Sequence, residues 1–90
     1  MAATFDLGAV VATPGAIEFL DGRNVSPLEL LKRHASGDWG DLGASDRKAN
    51  DRALKTGERL LSAYDTPDAK VWVVTEWDRS STCLLLPSEY

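Results

Sequence analysis

The sequence lacks most of the features that mark secreted and membrane-spanning proteins. It contains one cysteine, Cys83, among 90 residues, so no disulfide can form within the chain and we predict a reducing compartment, the cytoplasm. No apolar run approaches the roughly 20 residues that a membrane-spanning helix needs. No basic residue precedes the apolar stretch near the N-terminus, so we predict no signal peptide and no membrane partner.

An excess of positive charge is also missing. The 14 acidic and 10 basic residues give a net charge of −4 and are mixed along the whole chain. Nucleic-acid-binding proteins usually carry a basic stripe that neutralises phosphates, so this pattern argues against a broad nucleic-acid interface. The glycines match neither G-x-x-x-x-G-K-[ST] nor G-x-G-x-x-G, and the sequence therefore gives no support for a nucleotide-binding loop.

Candidate metal ligands are scarce. The chain has a single histidine and no second cysteine, so the common zinc ligand sets cannot be assembled. Asp38, Asp41 and Asp46 lie close together, but their spacing differs from that of a calcium-binding loop. We predict no metal and no cofactor, and we expect Asp38 to bond backbone amides in the glycine-rich turn around it.

What the chain does contain is the composition of one globular domain. Hydrophobic residues make up 43% of the sequence and charged residues 27%, which is ordinary for a folded protein and wrong for a disordered one. A length of 90 residues allows one hydrophobic core. We therefore predict a single domain over residues 1–90.

Local signals predict the element order β-α-α-α-β-β-β. Thr13-Pro14 and Ser26-Pro27 each place an N-cap residue before a proline at the first helical position, and Ser45 is a third N-cap candidate. The predicted strands cover residues 5–12, 58–64, 70–77 and 81–87, and the predicted helices cover residues 14–20, 27–35 and 46–56. Short connections, including a turn over residues 66–69, join the last three strands. The prediction is an α+β domain with its helices packed on a small antiparallel sheet.

The apolar spacing predicts which faces are buried. The inner faces are Leu28, Leu31 and Ala35 in the second helix, and Ala49, Ala53 and Leu54 in the third. Residues 71–74 and 84–86 are apolar on both alternating faces of their strands, whereas a sheet with one wet face should alternate. Either these strands are central and covered on both sides, or the second face is an interface. We favour an interface with a second copy or a protein partner, with Trp39, Trp72 and Trp77 as candidate anchors.

Residues 33–42, RHASGDWGDL, concentrate the single histidine, a tryptophan, two glycines and two aspartates. The segment is either a rigid corner between two helices, with Trp39 as its hydrophobic plug, or part of a site. His34 is the best single candidate for chemistry, because an imidazole can act as a base or an acid near pH 7. The alternative is a partly buried histidine that hydrogen-bonds a backbone carbonyl or a following aspartate.

A second group of polar side chains is expected to gather on the sheet. Its members are Arg59, Ser62, Tyr64, Thr75, Arg79 and Thr82. Thr75 and Thr82 flank one hairpin, and Ser62 and Tyr64 share a strand face. Such a cluster can hold a phosphate, because arginine donates a bidentate pair and the hydroxyls add donors. The alternative is routine, since threonine suits strands and an arginine in a turn is usually solvated.

Five segments of the chain form a distinctive set: VVATPGA, RHASGDWGDL, the pair Asn50-Asp51, LLSAY and TEWDRSSTCLLLPSEY. In this set the chain resembles a group of small bacterial proteins that are carried on plasmids and integrative elements. The resemblance covers nearly the whole chain. It implies a bacterial accessory protein of a mobile element, and that context suggests a role in evading host defence, including anti-restriction.

The predicted element order is similar to that of the barnase and RelE group of small ribonucleases. Members of that group cleave RNA without a metal, by letting the 2′-hydroxyl attack the neighbouring phosphate. The similarity implies an acid or base, a phosphorane-stabilising arginine and phosphate-orienting hydroxyls. The acid or base would be His34, and the stabilising arginine would be Arg59 or Arg79. The hydroxyls that orient the phosphate would be those of Thr75, Thr82 or Ser62.

Two hypotheses for function follow. The first is a non-enzymatic cytoplasmic protein that acts by binding a protein partner. The second is a metal-independent ribonuclease, for which RNA is the partner and His34 the central catalytic residue. We favour the first, because no catalytic motif is present and the acidic balance disfavours a polyanionic substrate.

Overall fold

The computed structural model describes residues 5–66 and 69–90, and it confirms the predicted α+β class and element order. The elements are β1 (Ala9–Ala12), α1 (Pro14–Gly22), α2 (Pro27–Ala35), α3 (Ala44–Thr56), β2 (Leu60–Asp65), β3 (Lys70–Thr75), β4 (Ser81–Leu85) and a C-terminal 3-10 turn (Pro87–Glu89). The predicted turn over residues 66–69 includes Pro67 and Asp68, which lie outside the described residues.

The helix ends follow local sequence in most places. The Thr13 side chain accepts a hydrogen bond from the Ala16 amide and Pro14 occupies the first turn of α1, as predicted. Gly57 ends α3 in the left-handed region, with a φ of 77°. The prediction that Ser45 caps α3 is wrong, because the helix begins at Ala44 with Gly43 in the capping position.

The sheet is mixed, which corrects the prediction of an antiparallel sheet. Its strand order is β1-β4-β3-β2. The pairs β2–β3 and β3–β4 are antiparallel, as the short connections between them require, but β1 runs parallel to β4. Three helices separate β1 from the other strands, so no tight turn dictates its direction.

The helices all pack on one face of the sheet. α1 contacts β4, α2 contacts β3 and α3 contacts β2. The main core cluster consists of Leu20, Leu30, Tyr64, Val71, Val73 and Leu84, and a second cluster consists of Trp39, Ala53 and Leu60. None of the helices in the described residues is long and apolar enough to cross a bilayer.

The predicted inner faces of α2 and α3 need correction. Leu28 is 58% exposed and Leu31 is only partly buried, whereas Leu30, His34 and Ala35 are the buried residues of α2. The helix has turned so that the imidazole faces the core, because the sheet supplies hydrogen-bond partners for it. In α3 the buried residues are Asn50 and Ala53, while Ala49 is exposed and Leu54 is partly buried.

The opposite side of the sheet, called the back face here, is also apolar. It consists of Val11, Leu61, Ala63, Trp72, Val74, Cys83 and Leu85, which alternate with the helix-facing residues. β3 and β4 are the central strands, and Tyr90 packs edge-on against Trp72 with the ring centres 5.4 Å apart. The C-terminal turn therefore covers part of the back face, and Trp72 and Cys83 stay partly exposed.

Candidate functional site

His34 lies in the last turn of α2 with none of its surface exposed to solvent. Its Nδ1 atom is 2.5 Å from Ser62 Oγ, and its Nε2 atom is 2.9 Å from Thr75 Oγ1. Both ring nitrogens are therefore engaged by hydroxyls. The predicted alternative partners, a backbone carbonyl or a following aspartate, are not the ones that hold the ring.

The hydrogen bonds continue from Thr75 across the sheet. Thr75 Oγ1 is 2.7 Å from Thr82 Oγ1, which donates to the carbonyl of Leu7 over 2.7 Å. Pairing in register places Thr75 opposite Thr82, and both side chains face the helices. We call Ser62, His34, Thr75 and Thr82 the hydroxyl chain.

The direction of the hydroxyl chain follows from its carbonyl end. The Leu7 carbonyl can only accept, so the Thr82 hydroxyl donates its one hydrogen to it. Thr82 must then accept the hydrogen bond from Thr75. Thr75 then accepts from Nε2–H of His34, and Nδ1 of the neutral ring accepts from Ser62. Every donor in the hydroxyl chain has an acceptor, and both ring nitrogens of His34 are hydrogen-bonded.

The environment keeps the imidazole uncharged. Burial, together with the positive charge of Arg79, lowers the pKa of His34 from 6.5 to about 4. The rings of Phe5 and Trp39 stand edge-on to the imidazole, with centres 5.2 and 5.7 Å away. His34 is neutral at pH 7 and packs against two aromatic rings. These properties are typical of a histidine with a structural role.

Arg79 lies near the hydroxyl chain, but its guanidinium is already bound. It adopts a positive φ of 60° in the β3–β4 turn and donates to four backbone carbonyls, those of Ala53, Glu58, Glu76 and Trp77. The guanidinium also faces the Phe5 ring at 5.7 Å. Arg79 therefore links the hairpin to the end of α3, and N–H groups of its guanidinium are used in these bonds rather than for binding an anion.

Arg59 sits apart from the hydroxyl chain. Its guanidinium donates to the Tyr90 hydroxyl over 2.6 Å and pairs with Glu76 at 3.3 Å, and all of these groups are at the surface. Of the predicted catalytic residues, Thr75 hydrogen-bonds both His34 and Thr82, while Arg59 lies at the surface near the C-terminus.

The segment 33–42 forms a corner whose parts bind one another. Asp38 accepts from Arg33 over 2.7 Å and from the Gly40 amide over 3.1 Å, which confirms the expected bond to a backbone amide. The bond from Arg33 is the main reason that the pKa of Asp38 is lowered. Trp39 is 5% exposed and donates to Asp51 over 3.1 Å, so it plugs the corner as predicted.

This corner also covers the outer edge of β2. The Ala63 amide donates to the Trp39 carbonyl, and the Ala63 carbonyl accepts from the Asp41 amide. The Asp65 amide donates to the Asp41 carboxylate over 3.1 Å. Gly40 approaches so closely, with a φ of 75°, that a methyl group there would collide with the Ala63 carbonyl. The backbone of β2 is thus paired on both sides.

Asn50 completes the cover over β2, and sequence reasoning missed it. Its side chain donates to the Leu61 carbonyl over 2.7 Å and accepts from the Leu61 amide over 3.2 Å. The residue is 5% exposed. The signal was present, since an amide side chain stood between two predicted inner positions of α3, Ala49 and Ala53, but its partner lies on a separate strand.

The three tryptophans have different environments. Trp39 is internal and cannot serve as an exposed anchor, which corrects that part of the prediction. Trp72 is partly buried against Tyr90, and Trp77 is 65% exposed at the tip of the β3–β4 hairpin. Cys83 is half-buried on the back face, where burial raises the pKa of its thiol.

Other potential binding features lie away from the hydroxyl chain. A groove of about 540 Å³ runs along α1 and the start of α2, and its lining includes none of the predicted site residues. It is lined by Pro14, Ile17, Glu18, Asp21, Val25 and Pro27. Within residues 5–66 and 69–90, no three histidine, cysteine or acidic side chains gather as metal ligands would.

Comparisons with family models, with curated proteins and with solved structures found no match to this chain.

Proposed function

We propose that this chain acts by binding another protein and is not an enzyme. The observation that carries the proposal is the closed hydroxyl chain, which engages both nitrogens of His34 in the interior. A general acid or base must reach its substrate directly or through one water. Because both nitrogens of His34 are buried and bonded to hydroxyls of the same chain, neither is placed to reach a substrate.

The hairpin tip is the surface best suited to a partner. Trp77 is 65% exposed and stands between Glu76 and Asp78. Large exposed aromatic side chains are frequent anchors in protein interfaces. The flanking carboxylates and the net charge of −4 favour a partner with an apolar pocket rimmed by basic side chains.

The setting that we propose comes from the sequence resemblance. A bacterial accessory protein of a mobile element, located in the cytoplasm, would meet the proteins of its host there. Binding one of them, including a component of host defence, is a function that needs no active site.

Site-specific photocrosslinking in the cells that encode the protein tests the proposal. A photoreactive amino acid replaces Trp77 in one variant and Arg52, an exposed residue of α3, in a control variant. We expect one discrete protein adduct from position 77, weaker at high salt, and none from position 52. The same adducts from both positions, or no adduct from position 77, would contradict the proposal.

Metal-independent cleavage of RNA is the second candidate function, and one observation favours it. The fold does bring His34, Thr75 and Thr82 together, with Arg79 close enough to affect the imidazole pKa. For catalysis, Phe5 and the segment that follows it would have to leave the imidazole. The acidic balance of the chain also opposes RNA binding.

A paired expression experiment separates the two candidates. Wild-type protein and a His34→Ala variant are produced in bacteria, and growth and total RNA integrity are followed. We expect normal growth and intact RNA from both. Growth arrest with RNA fragmentation from the wild type alone, with the variant shown to be folded by circular dichroism, would favour the ribonuclease and reject the binding module.

A further inference from the structure

The two edges of the sheet are treated differently. β2 has its outward amides and carbonyls paired with the corner and with Asn50. β1 has β4 as its one neighbour among the described strands. Protein edges are usually protected by charges, prolines, bulges or covering segments, because unpaired strand edges recruit other strands.

The outward groups of β1 can be identified from its pairing with β4. The amides of Ala9 and Thr13 donate to the carbonyls of Ser80 and Leu84, so alternate residues of β1 face β4. Val11 faces β4 in the same way as Ala9 and Thr13. Val10 and Ala12 therefore direct their amides and carbonyls outward, away from β4. No hydrogen-bond partner for these outward groups lies within the part of the chain that the structure describes.

The side chains of β1 do nothing to protect this edge. Val10 is 47% exposed and Val11 is 52% exposed. The strand sequence AVVA carries no charge and no proline. β1 is short, with four residues, but an uncharged and apolar edge of this kind can accept a further strand.

We propose that β1 pairs antiparallel with β1 of a second copy of this chain, with Val11 on the two-fold axis. Val10 then lies opposite Ala12 of the other copy, and each such pair exchanges two N–H···O bonds. Val11 meets the other Val11 in the closely spaced position, with the Cα atoms about 4.5 Å apart. This register satisfies every outward group of β1.

Several features favour a second copy over an unrelated segment. The pairing is self-complementary, since the same short strand supplies both sides of a two-fold contact. The protected β2 edge stops further growth, so pairing through β1 closes as a dimer and does not extend into a fibre. On the back face, the row formed by Leu61, Val74, Cys83 and Val11 continues across the axis into its copy. The contact therefore adds apolar burial to the backbone bonds.

The inference is independent of the proposed function.

Charge substitutions at Val11 test the pairing. Wild-type protein is expected to sediment as a dimer at high micromolar concentration. Val11→Lys and Val11→Glu should each give monomers, since like charges would face each other at the axis. An equimolar mixture of the two variants should restore a dimer. A monomeric wild type, a dimeric Val11→Lys protein or a mixture that stays monomeric would each overturn the proposal.

Disulfide trapping provides an independent test. A Val11→Cys, Cys83→Ser double variant is compared with a Lys48→Cys, Cys83→Ser control on the exposed side of α3. Cys83 must be replaced because it lies opposite Val11 within one copy. The expected separation at position 11 suits a disulfide, so we expect rapid covalent dimers from that variant alone. Equal crosslinking of both proteins, or none at position 11, would reject the register.

Discussion

A histidine in a protein interior needs partners for both ring nitrogens, and His34 finds them on two different strands. Ser62 lies on β2 and Thr75 on β3. Because Thr82 and the Leu7 carbonyl fix the direction of the protons, the ring is held as one neutral tautomer. Protonation of the ring would put a donor at Nδ1 against a hydroxyl that already donates there.

This arrangement predicts how stability depends on pH. The pKa of His34 is about 4 in the folded chain and 6.5 in the unfolded chain, so the unfolded state binds more protons between these values. The free energy of unfolding should be highest above pH 6.5 and should fall by about 3 kcal/mol as pH drops to 4. Urea denaturation at pH values from 7.5 to 4 measures this loss.

The control for that titration is His34→Gln, whose side chain keeps a donor and an acceptor but does not titrate. The carboxylates are the same in both proteins, so the difference between their pH profiles isolates the imidazole. If the two profiles are parallel between pH 7.5 and 4, the assignment of a depressed pKa to His34 is wrong.

Thr75 is predicted to matter for its hydroxyl more than for its volume. Thr75→Val keeps the side-chain shape but removes the acceptor for Nε2–H and the donor to Thr82, which should cost about 1–3 kcal/mol. Thr75→Ser keeps the hydroxyl and loses a methyl group, at a cost of roughly 1 kcal/mol or less. Urea midpoints of the two variants at pH 7.5 provide the measurement. A larger loss in the serine variant would show that packing dominates.

At the scale of elements, the corner over residues 33–42 has an effect beyond joining two helices. It supplies the carbonyl, amide and carboxylate that pair with the outer side of β2. Tyr64 holds it from the other direction, because its hydroxyl donates to the Asp38 carbonyl over 2.6 Å. The corner therefore acts as a short substitute for a further strand.

Gly40 is the position where this contact allows no side chain. Gly40→Ala would place a methyl group against the Ala63 carbonyl at a backbone φ of 75°, and we expect a loss of roughly 2–4 kcal/mol. Gly22→Ala is the matched control, since Gly22 ends α1 with open space around it and should be neutral or slightly stabilised. Thermal and urea unfolding compare the two. Similar stabilities would mean that the corner can move away from β2.

The sequence predicted the elements well and the orientation of α2 poorly. Caps, prolines and glycines are local signals, and they located the helices to within a few residues. The inward face of α2 was wrong because a helical pattern ranks leucine above histidine. What turned His34 inward was Ser62 and Thr75, which lie 28 and 41 residues away. A pattern along one helix carries no information about partners on distant strands.

The hydroxyls of the candidate site were predictable, but its arginines and its buried state were not. The hairpin placed Thr75 beside Thr82, alternation placed Ser62 with Tyr64, and the strand pairing puts these side chains on the helix side of the sheet. Arg59 lies elsewhere at the surface, and Arg79 donates to backbone carbonyls. Phe5 packs against the imidazole of His34, and β1 pairs with β4. Both contacts join segments far apart in sequence, which short-range patterns do not specify. Trp39 also contacts the imidazole, from within the segment 33–42.

At the scale of the whole molecule, the residues that the structure describes pair the outward groups of β2 but not those of β1. A protected edge strand should behave like an interior strand in hydrogen exchange, because its outward amides are bonded. The Leu61 and Ala63 amides are paired with Asn50 and Trp39. The Val10 and Ala12 amides have no such partner within one copy among the residues that the structure describes.

Amide hydrogen exchange followed by NMR over a series of protein concentrations should separate these edges. The Leu61 and Ala63 amides are expected to exchange slowly at every concentration, because their partners belong to the same chain. The Val10 and Ala12 amides should exchange fast in dilute solution and slow down as the dimer forms, since their partners then come from the second copy. The Val11→Lys protein is the control in which fast exchange should persist at all concentrations. Slow exchange at Val10 and Ala12 that is independent of concentration would place their hydrogen-bond partners within one chain, and the asymmetry between the two edges would then have a different origin.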